Sequence, residues 1–325
     1  MRRAVAVFNI EPRALVALAG VVGLLVLATL TVALLRSRLP AEVHRELVQR
    51  IKSWWVMVAV FTVAISLSRV VSLVFFAVVS FLALKEYLSL IPTRRADRTV
   101  IFWAYLTIPI QYFLIGKEWY GVFIIFIPVY IFLLMPMRMV LAGETAHFVR
   151  AVGTLHWGLM AMVFSISHVA YLLVLPGDLN PGAGSAGLVL YLVFLTQFND
   201  VSQYMWGKLF GRHKVAPNVS PGKTVEGLIG GVVTTTALGW LLGAWLTPMD
   251  PLQSLGAGLI IGLAGFIGDI TISALKRDLG VKDTGSLLPG HGGVLDRVDS
   301  LIYTAPLFFH YLYYLHYSPI AQGLL

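Results

Sequence analysis

The segment QSLGAGLIIGLAGFIGDITISAL, Gln253–Leu275, runs straight into KRDLGVKDTGSLLPGHGGVLDRVD, Lys276–Asp299. The first part has the length of a bilayer-crossing helix, about 20 largely apolar residues, and its only charge is Asp269. The second part holds four basic side chains, four aspartates, a histidine and five glycines. A greasy helix that delivers the chain into a concentrated charged loop sets the reading of the rest. Of the 325 residues, 58% are hydrophobic and 12% are charged, against about 25% charged in soluble domains. The expected fold class is therefore all-α, a polytopic integral membrane protein.

Working outward, apolar segments of spanning character fall at residues 14–35, 54–68, 70–90, 100–115, 119–141, 154–175, 187–206, 225–247, 253–275 and 299–317. The second and fourth are short, so nine or ten transmembrane helices are expected. The first, Ala14–Leu35, is too long for a signal-peptide core and is read as a retained helix. No internal repeat of the transporter type is evident. The chain divides into N-terminal transmembrane helices, residues 1–150, and a catalytic transmembrane region with the polar motifs, residues 151–325. There are no cysteines, which excludes disulfides and thiolate chemistry, and the net charge is +8. No basic domain is large enough for nucleic-acid binding. Lys and Arg collect in the segments 36–53, 91–99, 207–224 and 276–298, whereas 176–186 and 248–252 have none. The charged loops are expected to face the cytoplasm of a bacterial cytoplasmic membrane. On this count the N-terminal tail, with Arg2, Arg3 and Arg13, lies outside against its own charge. Gly227-Gly231, Gly239-Gly243 and Gly258-Gly262 have the small-xxx-small spacing that lets helices approach closely.

Three polar groups interrupt the apolar background. Asp269, Ser273 and Lys276 are spaced for one face of a helix. A carboxylate at membrane depth costs a few kcal/mol and persists where it meets a cation, a metal or water. A helix-end salt bridge to Lys276 or Arg277 is the plain alternative. Asp283, Asp296 and Asp299 are hard oxygen ligands suited to Mg²⁺, with Asp296 and Asp299 one helical turn apart. Lys276, Arg277, Lys282 and Arg297 surround them, a composition that suits a metal–phosphate substrate. Glycines flanking His291 permit tight turns and close approach of an anion. The bland alternative is a solvated loop whose charges pair with one another. Upstream, TQFNDVSQYMWGKLFGRHKVAPNVSPGKTVEG, Thr196–Gly227, contains Asn199, Asp200, Ser220, Lys223 and Thr224. Its GKT is not a phosphate-binding P-loop, because Pro217 stands where that loop needs glycine and no strand precedes it. A helix N-terminus with Lys and Thr can still cradle phosphate, or Thr224 simply caps the helix. The other histidines show no ligand spacing.

The stretch SALKRDLGVKDTGSLLPGHGGVLDRVD, Ser273–Asp299, resembles the defining motif of the CDP-diacylglycerol synthases, or phosphatidate cytidylyltransferases. Ser-x-apolar-Lys-Arg, Lys-Asp, Pro-x-His-Gly-Gly and Asp-Arg-x-Asp follow in order, and the resemblance extends from about Asn199 to Ser300. It implies a Mg²⁺-dependent membrane enzyme of phospholipid biosynthesis. Such an enzyme forms CDP-diacylglycerol and pyrophosphate from CTP and phosphatidic acid. Carried over by motif, Asp269, Asp283, Asp296 and Asp299 become metal-site residues. Lys276, Arg277, Lys282, His291 and Arg297 become catalytic residues, and Asn199, Asp200, Ser220, Lys223, Thr224 and Ser273 substrate-binding ones. Expected partners are CTP, a lipid phosphate, the bilayer and a second copy of the chain. The sequence departs at Gln203, where the family commonly has a small residue. Two other readings stay open: a CTP-dependent transferase or kinase acting on another lipid, and an ion-coupled membrane transporter.

Overall fold

The computed structural model describes residues 10–92, 98–141, 143, 146–287 and 292–318. Among them the chain forms ten long helices, a short helical turn and one small hairpin. The helices are α1 (Pro12–Leu34), α2 (Ala41–Leu67), α3 (Arg69–Leu90), α4 (Arg98–Gly116), α5 (Tyr120–Leu141), α6 (Phe148–Leu172) and α7 (Gly184–Phe210). After the hairpin β1 (Lys214–Ala216) and β2 (Ser220–Thr224) come α8 (Val225–Leu246) and α9 (Pro251–Asp278). The short turn α10 (Leu295–Val298) leads into α11 (Leu301–Leu312), which continues as a π-helical turn, Tyr313–Tyr317.

Seven of these helices, α1, α2, α3, α5, α6, α8 and α9, are long and apolar enough to cross a membrane. The protein is therefore polytopic. Helix α7 is as long, but Gln197, Asn199, Asp200 and Gln203 dilute its apolar character. The expectation of a loop over 36–53 and a short second span is corrected: α2 begins at Ala41 and runs unbroken to Leu67. Its charged first turns simply extend beyond the apolar part. The all-α expectation holds, and among the described residues the one departure from helix is an antiparallel hairpin at residues 214–224, with Lys214 opposite Thr224 and Ala216 opposite Ser220.

Large apolar side chains cover the outside. Leu27, Leu34, Val70, Leu133, Val233 and Leu252 are all exposed. In water such a surface would drive aggregation; in hydrocarbon it is the solvated face. Inside, helices meet through small residues. A Cβ built on Gly239 of α8 would stand 2.8 Å from the Cα of Gly258 on α9, so the two backbones touch. Helix α9 begins with a reciprocal cap: Gln253 N–H donates to Asp250 Oδ1 (2.8 Å) and Asp250 N–H donates to Gln253 Oε1 (3.1 Å). Two otherwise unsatisfied N–H groups are thereby covered.

The contacts define two ends. At one, Arg69 pairs with Glu118 (2.7 Å), Tyr120 stacks on Tyr313, and Asn180 donates to the carbonyl of Leu246. The N–H of Arg13 donates to the carbonyl of Gly182 (3.2 Å), so the start of α1 lies at this same end, beside the loop that lacks Lys and Arg. This agrees with the helix count and not with the charge of the N-terminal tail. At the other end the close of α3, the start of α6 and the close of α9 surround a common cavity, lined by Ile91, Arg150 and Asp278 among others. Arg277 of α9 donates to the carbonyl of Val219 in the basic segment 207–224, so these two basic stretches meet at this second end, and the site described next is built there.

Candidate functional site

Helix α9 ends in Lys276 and Arg277, and Asp269 lies two turns earlier on the face of Lys276. Helix α7 passes beside it with Gln197 and Asp200. The loop after α9 returns Asp283, and α10 supplies Asp296 and Arg297, with Asp299 just beyond. Together Gln197, Asp200, Asp269, Lys276, Asp283, Asp296, Arg297 and Asp299 line one cavity of about 230 Å³. Residues nearly a hundred positions apart thus face one small hollow.

The charges are paired unevenly. Lys223, from β2, forms an ion pair with Asp269 and also donates to Gln203 Oε1 (3.1 Å). Ser273 donates to Asp269 Oδ1 (3.3 Å). Ser300 donates to Asp200 Oδ2 (3.0 Å) and its N–H to Asp299 Oδ1 (2.7 Å). The Nε of Arg297 is buried with no hydrogen-bond partner among the described residues. An unpartnered guanidinium N–H beside a polar cavity is a ready donor to an incoming phosphate oxygen.

Asp296 is held differently. Its Oδ1 accepts from Lys276 Nζ (2.8 Å). Its Oδ2 accepts from the N–H of Thr284 (2.9 Å) and the N–H of Gly293 (3.0 Å), with the Thr284 hydroxyl at 3.0 Å. Burial raises the carboxyl pKa, but the hydrogen bonds from Lys276, Gly293 and Thr284 outweigh it, and the net direction is downward. The group stays ionised and serves as a clasp that joins Thr284 and Gly293 to Lys276 at the end of α9.

Sequence reading missed Glu86. It stands in α3, far from the motif, yet Oε1 accepts from the N–H of Val294 (2.9 Å) and Oε2 from the N–H of Leu295 (2.8 Å). These are free N–H groups at the start of α10, where a carboxylate is favoured. The Thr284 hydroxyl lies 3.3 Å from Glu86 Oε2, so Glu86 and Asp296 grip the loop jointly. Its only signal was an acid near the end of an apolar helix, in LALKEYL.

The remaining expected residues are placed as follows. Asn199 lies off the cavity and ties helices together, donating to the carbonyl of Gly262 (3.2 Å) and accepting from Thr235 (3.0 Å). Thr224 caps α8, accepting from the N–H of Gly227 (3.1 Å). Ser220 lines a neighbouring cavity with Lys223. Arg277 is exposed and its Nε donates to the carbonyl of Val219 (3.1 Å), joining the hairpin to α9. Lys282 is exposed in the loop. His291 lies outside the described residues.

Among the described residues no three histidine, cysteine or carboxylate side chains are close enough to form a ready-made metal cluster. The donor set nonetheless suits Mg²⁺, which keeps several waters and uses one or two carboxylates together with substrate phosphates.

Apolar helices that close around a carboxylate-and-cation cavity define an integral membrane protein equipped for phosphate chemistry. The chain belongs to the Cytidylyltransferase family, whose model matches residues 48–315. It is 49% identical over 300 residues to the uncharacterized protein YnbB of Escherichia coli strain K12, covering 92% of this chain and 98% of that one. It is also similar to the phosphatidate cytidylyltransferase of Synechocystis, 46% identical over 115 residues, which cover 35% of this chain and 39% of the relative. The enzyme of that name from Staphylococcus aureus strain COL is 41% identical over 120 residues, 37% of this chain and 46% of the relative. The chain thus matches less than half the length of these two synthases.

Proposed function

We propose that the protein transfers the cytidylyl group of CTP to phosphatidic acid, forming CDP-diacylglycerol and pyrophosphate. The observation that carries the reading is the convergence of Asp200, Asp269 and Asp299 with Lys276 and Arg297 on one cavity at the basic end of the helix bundle. A phosphate oxygen of the lipid attacks the α-phosphorus of CTP, and the bond to the β-phosphate breaks. The nucleophile is already anionic, so no strong base is required. The obstacle is the meeting of two polyanions: unit like charges at about 4 Å repel by about 4 kcal/mol at an effective dielectric near 20.

In this reading one or two of Asp200, Asp269 and Asp299, together with substrate phosphates, would hold Mg²⁺, which when bound would neutralise phosphate charge and polarise the phosphoryl oxygens. Arg297 donates its free Nε–H to a phosphate oxygen. Lys276, held in place by Asp296, offers its ammonium to the leaving pyrophosphate. Asp296 and Glu86 act as positioning residues, because their oxygens are already taken up, those of Glu86 by Thr284, Val294 and Leu295 and those of Asp296 by Lys276, Thr284 and Gly293. Asp283 stands at the mouth of the cavity, where it orders water or metal. The cavity faces the cytoplasm, the source of CTP, and the lipid arrives from the inner leaflet.

Incubation of the purified protein with labelled CTP, Mg²⁺ and a panel of lipid acceptors tests this. A CDP-lipid and pyrophosphate in equal amounts are expected with phosphatidic acid. Formation of CDP and a phosphorylated lipid, or no turnover of CTP with any acceptor, sinks it.

A further inference from the structure

A second cavity of about 400 Å³ lies beside the catalytic one, between the end of α7, β2 and the start of α8. Its lining includes Gln203, Lys208, Ser220 and Lys223 and contains no carboxylate. The catalytic cavity, by contrast, is lined by five aspartates, Asp200, Asp269, Asp283, Asp296 and Asp299. The two hollows have opposite electrostatic preference, one for a cation and one for an anion. Lys223 joins them: its ammonium pairs with Asp269 of the first and donates to Gln203 of the second.

Gln203 itself is unusual. It is 3% exposed, and its Nε2 has no hydrogen-bond partner among the described residues while its Oε1 is engaged by Lys223. A buried amide N–H₂ without an acceptor is costly and rare in folded proteins. The helix interface is shaped to admit this side chain. A Cβ built on Gly231 of α8 would stand 2.3 Å from Gln203 Cγ, so only glycine leaves it room. Exposed apolar surface adjoins the outer rim of the cavity: Tyr204, also in its lining, is 67% exposed, and Leu209 on the same helix end is 69% exposed.

We infer that this second cavity receives the phosphomonoester head of the membrane lipid, and that Gln203 is a specificity-determining residue that donates to it. The inference rests on the reading of the catalytic cavity given above. Two lysines and the serine hydroxyl supply charge and donors, and the amide of Gln203 supplies N–H groups directed by its contact with Lys223. A phosphomonoester offers several acceptor oxygens to these donors, whereas a phosphodiester offers fewer and an uncharged diacylglycerol none. From here the phosphate is adjacent to Lys223 and so to the catalytic cavity, while the acyl chains remain in the bilayer beside Tyr204 and Leu209.

The test uses the full chain in nanodiscs, without nucleotide, as wild type, Gln203→Met and Gln203→Glu. Met keeps the length and loses the amide. Glu keeps an oxygen for Lys223 and removes the N–H donors, and it decides the matter should the Met variant fail to fold. Bound lipid is read by native mass spectrometry against nanodiscs holding phosphatidic acid or diacylglycerol, with inorganic phosphate as competitor. Wild type should retain phosphatidic acid over diacylglycerol, with no displacement by equimolar inorganic phosphate. Each variant should bind phosphatidic acid about tenfold or more weakly, the size of a lost hydrogen bond to a charged group. In turnover, KM for the lipid should rise while KM for CTP stays. Wild-type affinity in both variants, or displacement by inorganic phosphate, overturns the inference. Retention of phosphatidic acid by a wild type that turns over no CTP supports the inference while refuting the proposed reaction.

Discussion

Replacing Asp296 by Asn tests the clasp at the centre of the site. The carboxylate accepts from Lys276 on one oxygen and from two backbone N–H groups and the Thr284 hydroxyl on the other. The side chains of Asp296 and Lys276 are only 5% and 14% exposed. An Asn of the same shape has one acceptor and one donor end. With its oxygen towards Lys276, its N–H₂ meets the N–H groups of Thr284 and Gly293 and leaves both unsatisfied, at about 1–3 kcal/mol each. With its oxygen towards those N–H groups, its N–H₂ faces a buried ammonium, and breaking a buried pair costs about 3–5 kcal/mol. Either arrangement costs roughly 3 kcal/mol, which corresponds to about a hundredfold greater population of an opened loop. Amide hydrogen exchange of Thr284 and Gly293 should accelerate by that factor, while α1 to α6 keep their protection. Turnover should fall by orders of magnitude, because Lys276 is no longer held. Unchanged exchange at those two amides would refute the account of Asp296 as a clasp, and near-normal turnover would refute the dependence of catalysis on it.

Glu86→Gln should loosen the start of α10, with faster amide exchange at Val294 and Leu295 and turnover lowered at least tenfold, although residue 86 lies far from the motif in sequence; the loss of a charge-assisted hydrogen bond sets the scale. Gly239→Ala should lower the thermal unfolding temperature of the detergent-solubilised protein, because its methyl group would press on Gly258; overpacking of this kind costs about 1–3 kcal/mol. The downward shift of the Asp296 pKa has a definite sign. Its contribution to loop closure is complete above the ordinary carboxylate value and is lost progressively as pH falls from there through the depressed value. Exchange at the Thr284 amide, corrected for intrinsic rate, should therefore stay slow from neutral pH down to the ordinary carboxylate range and rise progressively below it; a rise already near neutral pH would contradict this.

Much of the fold was legible because a membrane helix is a local property. Length and apolar content mark α3, α5, α8 and α9 without reference to anything distant. The errors fell where composition is mixed. Charged residues at the start of α2 resembled a loop, though a helix satisfies its own backbone and can carry charge beyond the bilayer. The hairpin at 214–224 has too few residues for a readable period. Asp269 stood out because a charge at membrane depth requires a reason, and Asp299, Lys276 and Arg297 because they crowd one short motif; the four do share a cavity. Asn199 stood out as part of the upstream polar segment, yet it ties α7 to α8 and α9 by hydrogen bonds.

Composition and the spacing of apolar runs determine on their own that this chain is a membrane protein with its polar chemistry at one end, and the resemblance of one dense motif points to the cytidylyltransferase type. Only the tertiary structure decided that Glu86 grips the loop 208 and 209 residues further on, that Asp296 is saturated by hydrogen bonds, and that Lys223 stands between two cavities of opposite character. The reason is physical. Helix formation and lipid solvation depend on neighbours within a few turns, whereas the occupancy of a lone pair depends on which distant backbone the packed helices bring within 3 Å or so of it.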